Sequence, residues 1–437
     1  MKTSEHFRGH LFWFLDTVNG MPVRNHYKEI NFLMNQATQD EVININRKKL
    51  FKLLDHASVN CPYYYEFKGK NDLSLFPVVN KNLIKENTEK FLAVNYNNKQ
   101  LLAVTTSGST GTPFKTYQDC NKKKRNNADT LYFAELAGYK LGHRLIYLKI
   151  WVKKKMRSRL EYWFQNIVPI DVLYLNDAKI ELLISKINNE RSTFSIIGYS
   201  SALELICKFL DRINAGTVKA NIKSIIAISE TLNDYTKSKM EKYFGNSVVS
   251  RYSNLENGII AQQELNGSGW FLINTPSYHV EILEMNTDEQ VNNGKLGRIV
   301  VTDLFNYAMP MIRYDTGDIG AIKTDPLNSA RKYLSKVEGR KLDLLYDTRG
   351  NLISSYIVYK NMWQYTEIDQ YQLIQEKAKQ YTLKINSKSH FKKEKQLVEE
   401  FKSFLGWDAE FKFEYVSEIP LLASGKRKKI VNNYINT

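Results

Sequence analysis

An alternation of short β-rich runs with helical segments, between about residues 145 and 305, most constrains how this chain can fold. The β-rich runs are 145–148, 194–197, 222–228 and 298–302, and helical segments such as 201–213 and 234–244 lie among them. Strands that alternate with helices in this way are typical of parallel sheets covered by helices. We therefore predict an α/β core.

The chain on either side of this core has a different character. Residues 1–100 are predicted to be mostly helical, for example over Glu41 to His56. After Gly339-Arg340, strands with a period of two flank an amphipathic helix that ends at Gly406. We predict a large N-terminal α/β domain over residues 1–338 and a small α+β C-terminal domain over 339–437, joined by a hinge.

Composition limits the classes of function. The 437 residues are 43% hydrophobic and carry 62 basic against 46 acidic side chains, a net charge of +16. This charge favours phosphate-bearing or polyanionic partners. Three widely spaced cysteines indicate neither a disulfide framework nor a zinc site. No apolar run approaches the roughly 18 residues of a membrane span, and the patch Leu11–Leu15 is too short for a signal peptide, so we expect a cytoplasmic protein.

The segment Thr105–Lys115, Thr-Thr-Ser-Gly-Ser-Thr-Gly-Thr-Pro-Phe-Lys, is the strongest indication of function. Its glycines allow backbone amides to point at an anion, and its hydroxyl groups add further donors. The spacing is not that of a Walker A loop. Alone, the segment favours a flexible surface turn over a phosphate-binding loop.

Two later segments carry side chains suited to a nucleotide. In Arg251–Gly258, Tyr252 can stack on a purine and Glu256 can bind magnesium as an oxygen ligand. In Met309–Asp318, a turn at Gly317 presents Asp318 as an acceptor for two ribose hydroxyls. A salt-bridged turn is an open alternative for the second segment.

Two more segments lie near or within the small domain. Arg340, in Val337–Asp343, can pair with the ribose or the α-phosphate, and its neighbours can form the hinge. Lys426 follows a Ser-Gly turn in Ile419–Lys429, where a mobile positive charge can stabilise a transition state. The alternative for Lys426 is a basic tail in solvent.

In this order, the five segments resemble the motifs of the adenylate-forming superfamily of acyl-CoA synthetases, peptide-synthetase adenylation domains and luciferases. Within it, the chain is most similar to the phenylacetate–coenzyme A ligase branch and its capsular polysaccharide biosynthesis members. The resemblance spans roughly residues 50 to 430, and the segments 60–64, 76–81 and 197–203 support it.

The resemblance implies a large α/β domain of adenylate-forming type with a small mobile C-terminal domain. It also implies a two-step reaction: a carboxylic acid attacks the α-phosphate of Mg·ATP to give an acyl-adenylate and pyrophosphate, and a thiol or an amine then takes the acyl group. Coenzyme A, a carrier thiol and an amino sugar are all candidate acceptors. Building or decoration of a surface or capsular polysaccharide is the expected setting, and an aryl-CoA ligase is the alternative.

The resemblance further assigns roles to individual residues. Glu256 would bind magnesium, with Thr110 as a second candidate. Tyr252 would stack on adenine, and Asp318 would bind the ribose with help from Arg340. Lys426 would act in adenylation. Thr106, Ser107, Gly108, Ser109, Thr110 and Gly111 would hold the β- and γ-phosphates, and Ser229 and Glu230 would line the adenine pocket.

Two departures from the family pattern bear on these expectations. Thr112 stands where the phosphate loop often has a lysine, which makes Lys426 the main candidate for positive charge. Residues 346–351 resemble the polysaccharide members more than the glycine-bearing loop of CoA ligases, and this disfavours the aryl-CoA alternative.

The remaining basic and histidine residues suggest weaker hypotheses. We expect the clusters Lys122–Arg125 and Lys153–Arg159 to form solvated helix faces. Contact with the inner face of a membrane or a lipid-diphosphate sugar carrier is an alternative. A non-catalytic binder of nucleic acid or anionic surfaces would explain the charge but none of the motifs. His143 is expected to be a packing or surface residue, with an approach to the acyl pocket as the alternative.

Overall fold

The protein is described here from a computed structural model. It covers residues 3–434 apart from 98, 107–113, 152–158, 266, 326–327, 329, 341–344, 354–357, 359–360, 363, 366, 388–389 and 421–426. The side chains of residues 106, 159, 160, 339, 340 and 352 also lie outside the described part. The chain forms two compact units, the first comprising Met1–Thr106, Pro113–Leu232 and Thr236–Val337, and the second built mainly from Glu338–Thr437.

The first unit begins with three long helices, α1 (Thr3–Val18), α2 (Pro22–Asn35) and α3 (Gln39–Asn60). The helix predicted over Glu41 to His56 is therefore present and extends further at both ends. Helix α3 begins with a capping box in which Thr38 and Glu41 each bond to the other's backbone. Two short helices follow, α4 (Lys81–Glu86) and α5 (Thr88–Phe91).

The described residues of the main sheet include five parallel strands in the order β8-β7-β6-β4-β5. Helices accompany them, as the alternating sequence pattern predicts, so the expected α/β core is confirmed. The strands are β4 (Arg144–Lys149), β5 (Ile167–Asp171), β6 (Thr193–Tyr199), β7 (Asn221–Ile228) and β8 (Val248–Asn254); the helices are α6 (Cys120–Leu136), α7 (Arg159–Gln165), α8 (Asp177–Asn189), α9 (Ser200–Arg212) and α10 (Asp234–Phe244).

Beyond β8 the sheet continues in the order β9, β10, β14, β13, β12, β11, and β1 pairs with β13. Antiparallel pairing begins at the β8–β9 hairpin. A separate hairpin, β2–β3, flanks the glycine-rich segment. The strands are β1 (Val79–Asn80), β2 (Leu102–Thr106), β3 (Phe114–Gln118), β9 (Gly258–Gln263), β10 (Phe271–Ile273), β11 (Tyr278–Leu283), β12 (Gly297–Asp303), β13 (Tyr314–Thr324) and β14 (Lys332–Arg340).

The second unit has its own sheet and core. Its strands β17 (Ile368–Lys377), β18 (Gln380–Ser387), β19 (Glu410–Tyr415) and β20 (Ile430–Asn432) are ordered β19-β18-β17-β20, with a small hairpin of β15 (Leu345–Tyr346) and β16 (Leu352–Ile353). Helix α11 (Glu394–Leu405) buries Leu397, Phe401 and Leu405 in this core and ends at Gly406, whose φ is +123°. The α+β character predicted for the C-terminal region is therefore present.

The structure corrects the expectation that Lys122–Arg125 forms a solvated helix face. Lys122 and Arg125, both on α6, are fully buried. The Lys122 ammonium lies 2.7 Å from Asp303, and the Arg125 guanidinium lies 3.2 Å from Glu29. The prediction was wrong for these two residues because Asp303 and Glu29, which lie far away in sequence, pair with them. The second cluster, Lys153–Arg159, falls outside the described side chains.

His143 is a packing residue, as the first of the two interpretations predicted. It lies buried just before the amino end of β4, and its Nδ1 is 3.1 Å from Ser195 Oγ. Burial lowers the pKa of His143 to about 4. Among the described residues, no helix has both the length and the apolar character needed to span a bilayer.

Candidate functional site

The candidate site lies where the parallel strands end, which is the usual place for a ligand in an α/β sheet. Ser229 follows β7 in the left-handed conformation (φ +70°) and is exposed. Glu230 comes next, and its carboxylate accepts a hydrogen bond of 2.9 Å from the backbone N–H of Ser201. Ser200 donates to the carbonyl oxygen of Glu230 at 2.9 Å. Glu230 therefore joins the end of β7 to the first turn of α9, a structural use that its sequence position does not reveal.

A direct hydrogen bond joins two of the predicted nucleotide residues. The Tyr252 hydroxyl, on β8, donates to Asp318 Oδ2, on β13, at 2.8 Å. Its oxygen also lies 3.2 Å from Thr316 Oγ1. Burial, and after it the negative charge of Asp318, raises the pKa of Tyr252 well above its usual value. Tyr252 is therefore a permanent donor that orients the Asp318 carboxylate.

A bulge in β13 positions Asp318. Asp315 is opposite Val300 and Ile319 is opposite Arg298, so the three residues Thr316, Gly317 and Asp318 face the single residue 299 of β12. Gly317 has a φ of +78°, and the Thr316 hydroxyl donates to the carbonyl oxygen of Ile299 at 2.9 Å. Bulges of this kind redirect side chains next to functional sites. The turn predicted at Gly317 is therefore this bulge within a strand.

Glu256 occupies the turn between β8 and β9 and is 8% exposed. The Tyr314 hydroxyl donates to Glu256 Oε1 at 2.9 Å. Gln118, at the end of β3, donates through Nε2 to the Glu256 carbonyl oxygen at 3.0 Å. Burial, followed by the nearby Glu256 carboxylate, raises the pKa of Tyr314 well above its usual value, so its hydroxyl stays protonated. Two segments distant in sequence thus hold Glu256: Tyr314 bonds to its carboxylate and Gln118 to its backbone.

The surroundings of Glu256 fit a magnesium ion bound together with phosphates. Mg²⁺ in such sites takes one or two carboxylates and completes its shell with phosphate oxygens and water. Within the described part of the chain, Glu256 forms no ion pair with a lysine or arginine. No cluster of three or more metal-binding side chains occurs among those same residues. A protein-only metal cage is therefore not formed there, whereas a single-carboxylate site shared with phosphates is compatible.

Several predicted site residues fall outside this description. The described arms of the glycine-rich segment are β2 and β3, where Thr106 is opposite Phe114. Arg340 is the last residue of β14, but its side chain lies outside the described part. Ser107, Gly108, Ser109, Thr110, Gly111 and Lys426 also lie outside the described residues. Their roles remain predictions.

Sequence reasoning missed three residues that the structure places at or beside this site. Tyr314 lies within the segment that contains Asp318, but its bond to Glu256 was not predicted. Gln118 follows the glycine-rich loop with no motif of its own. Arg251 immediately precedes Tyr252 and is buried. The sequence signal for these three residues was their position in or next to a segment that already contained a predicted site residue.

Comparison with known proteins agrees with the predicted resemblance. Residues 345–433 match the family described as the CapK C-terminal domain. Protein CapK of Staphylococcus aureus is 22% identical over 434 residues, an alignment that covers 94% of this chain and 93% of CapK. Phenylacetate-coenzyme A ligase of Aromatoleum evansii is 22% identical over 337 residues and covers 74% of this chain and 76% of that enzyme.

Solved structures show the same fold at low sequence identity. 2-Hydroxyisobutyryl-CoA ligase, in the postadenylation state with 2-HIB-AMP, has a TM-score of 0.71 at 13% identity over 91% of this chain and 90% of its own. ATP-bound MatB from Rhodopseudomonas palustris has a TM-score of 0.55 at 16% identity, covering 77% and 68% of the two chains. The chain is thus a relative of CapK and phenylacetate-coenzyme A ligase that has the fold of the adenylate-forming ligases.

Proposed function

We propose that this protein activates a carboxylic acid as its acyl-adenylate, using Mg·ATP and releasing pyrophosphate. The observation that supports this most directly is the pair of hydrogen bonds Tyr252–Asp318 and Tyr314–Glu256. They join two segments more than fifty residues apart in sequence. The Tyr314 hydroxyl is near the negative charge of both Glu256 and Asp318, which supports a single site that uses the two carboxylates.

The chemistry of adenylation explains why these groups are needed. Asp318 would accept hydrogen bonds from both ribose hydroxyls, and the ring of Tyr252 would cover the adenine. Glu256 would hold a magnesium ion, which neutralises the charge of the phosphates. Lys426 would add positive charge when the α-phosphate is attacked, where transition-state charge is greatest. Ser229 would contribute to the adenine pocket next to the Glu230 turn.

We further propose that the acyl group passes to a thiol or an amine during the synthesis or decoration of a surface polysaccharide. Similarity to CapK over 94% of the chain supports the polysaccharide setting. Coenzyme A is one candidate thiol, since solved relatives of the same fold contain it. An amino sugar on a membrane-linked carrier is the candidate amine, which would bring a cytoplasmic enzyme to the inner face of the membrane.

ATP–pyrophosphate exchange tests the adenylation step directly. Purified protein with magnesium and ATP would be incubated with labelled pyrophosphate and a panel of aryl, fatty, amino, dicarboxylic and sugar acids. We expect acid-dependent exchange with at least one class. Absence of exchange across the panel, with a protein shown to be folded, would reject adenylation as the function.

An aryl-CoA ligase is the second candidate, favoured by similarity to phenylacetate-coenzyme A ligase over 337 residues. Consumption of coenzyme A with phenylacetate or benzoate would support it. Acid-dependent exchange without any thioester product would favour an amine acceptor instead. The non-catalytic polyanion binder loses support, because two of the four cations in the first basic cluster are buried in ion pairs.

A further inference from the structure

Arg251 is a buried cation without a carboxylate partner among the described residues. It is 9% exposed, and its Nε donates to Gln262 Oε1 at 2.8 Å. Its Nη2 is buried and has no hydrogen-bond partner in the described part of the chain. Burial lowers the pKa of Arg251 to about 10, so the guanidinium remains charged near neutral pH.

Other buried cations of the same unit differ from Arg251 in this respect. Lys122 lies 2.7 Å from the Asp303 carboxylate, and Arg313 lies 3.2 Å from Glu281. Burying a charge is costly unless an opposite charge and hydrogen bonds compensate. Glu230 follows the neighbouring strand, but its carboxylate accepts from Ser201 at the start of α9. Arg251 is therefore charged and buried, and no anion within the described part of the chain compensates its charge.

The position of Arg251 indicates where that anion would bind. In the sheet, Tyr199, Ile228 and Arg251 are laterally paired on three parallel strands near their carboxyl ends. Gln262, which holds the Arg251 Nε, donates in turn to the carbonyl oxygen of Phe133 on α6. The Arg251 side chain therefore lies on the face of the sheet covered by α6. Tyr252, the next residue along the strand, bonds to Asp318 instead.

Aromatic rings and a second cation occupy the same face. Ile228 and Val249 pack there with half-buried Tyr147 and Tyr199. The Lys149 ammonium lies 4.6 Å from the ring centroid of Tyr147 and 4.3 Å from that of Trp151. A ligand in this region would meet ring surfaces together with two positive charges, and it is the charges that suit an acid with more than one anionic group.

We propose that Arg251 binds a second anionic group of the carboxylic acid that this protein activates, so that the substrate is a diacid. The second group is a carboxylate or a phosphate, either of which accepts hydrogen bonds from a guanidinium. One carboxylate of the acid reacts with ATP, and the other group rests on Arg251. This assignment rests on the proposed adenylation function and defines its substrate class.

Matched substrate pairs test the assignment. ATP–pyrophosphate exchange would be measured with dicarboxylic acids and with carboxylic acids that carry a phosphate, each beside its neutral monoamide or dephosphorylated analogue. We expect wild-type protein to prefer one of the dianionic series by about 100-fold in kcat/KM. The series that is preferred identifies the second group.

Variants at Arg251 distinguish the effect of its charge on substrate preference from an effect on folding. Arg251→Met is expected to remove the preference for the dianionic acid while ATP affinity stays unchanged, because Met has a similar volume without the charge. Arg251→Lys should retain part of the preference. The matched control is Arg144→Met at the amino end of β4, where the arginine pairs with Glu190; it should leave the preference intact.

The outcomes distinguish this inference from the proposed function. Equal exchange of neutral and dianionic acids by wild type and Arg251→Met would overturn the role of Arg251 and leave adenylation standing. If no acid supports exchange, the proposed function fails. Anion binding by Arg251 is then still tested by the rise in melting temperature of the protein in the presence of the same acids. Stabilisation of wild type but not of Arg251→Met would support the anion site, and equal or absent stabilisation would overturn it.

Discussion

The bond between Tyr252 and Asp318 leads to a quantitative prediction about ATP affinity. If Asp318 accepts bonds from two ribose hydroxyls, Asp318→Ala removes two charge-assisted hydrogen bonds worth about 1.5 kcal/mol or more each. The loss of about 3 kcal/mol corresponds to a rise of more than 100-fold in the Kd for ATP. Tyr252→Phe keeps the ring but removes the donor 2.8 Å from Asp318. Its expected cost is about 1.4 kcal/mol, or tenfold in Kd.

The double variant provides the decisive measurement. Because the Tyr252 hydroxyl acts through Asp318, adding Tyr252→Phe to Asp318→Ala should raise the Kd by less than about twofold further. Isothermal titration calorimetry with ATP and magnesium on the four proteins measures this coupling. An unchanged Kd for Asp318→Ala, or fully additive effects in the double variant, would refute the reasoning.

Stability must be measured alongside affinity. Among the described residues, Asp318→Ala leaves the Tyr252 hydroxyl with Thr316 Oγ1, at 3.2 Å, as its remaining partner, so some loss of folding free energy is expected. The matched control is Tyr243→Phe, because the Tyr243 hydroxyl bonds to the Asp211 carboxylate away from the candidate site. This variant should lower the melting temperature without changing the Kd for ATP.

Three further predictions concern other parts of the chain. Lys426→Ala should abolish pyrophosphate exchange while calorimetry still detects ATP, because the lysine acts mainly on the transition state; equal exchange rates would refute its role. Lys122→Met should lower the free energy of unfolding by about 3 to 5 kcal/mol in urea denaturation, since it leaves Asp303 buried without its cation; a loss below 1 kcal/mol would contradict this. The pKa of His143 is about 4 in the fold, against 6.5 for an unperturbed histidine. Between these pH values the unfolded state binds more protons, so the free energy of unfolding falls as the pH drops from 6.5 to 4. Replacing His143 with Gln should reduce this pH dependence, and an unaltered slope would contradict the contribution of His143.

Three of the five parallel strands, β4, β6 and β7, were predicted because each is a short apolar run near a helix. Strands β5 and β8 were not predicted, and the fourth predicted run, 298–302, is β12 of the antiparallel part. The prediction over 222–228 differs from β7 by a single residue. The order of the antiparallel strands was not predictable, since β14 pairs with β10 across about sixty residues of sequence. Pairing of that kind depends on the folded sheet and leaves no local pattern.

The candidate site residues could be selected from the sequence, but their contacts could not. Tyr252, Glu256 and Asp318 have the side-chain chemistry expected of a nucleotide site, and the proposal of a site rests on these residue types. Their hydrogen-bond partners depend on a bulge and a turn that position residues from separate strands. The buried ion pair of Lys122 shows the same limit, since nothing near residue 122 in the sequence indicates Asp303.

The bulge at Thr316–Asp318 also has a consequence for how this segment can vary. Successive residues of a strand face opposite sides of the sheet, so removal of one residue would reverse the facing of every residue beyond it. Ile319 and Ala321, now buried, follow the bulge directly. A substitution at Gly317 alters one conformation, whereas a deletion there that keeps the strand extended would move Ile319 and Ala321 to the opposite face of the sheet. The number of residues between Tyr314 and Ile319 is therefore under stronger constraint than the identity of most of them.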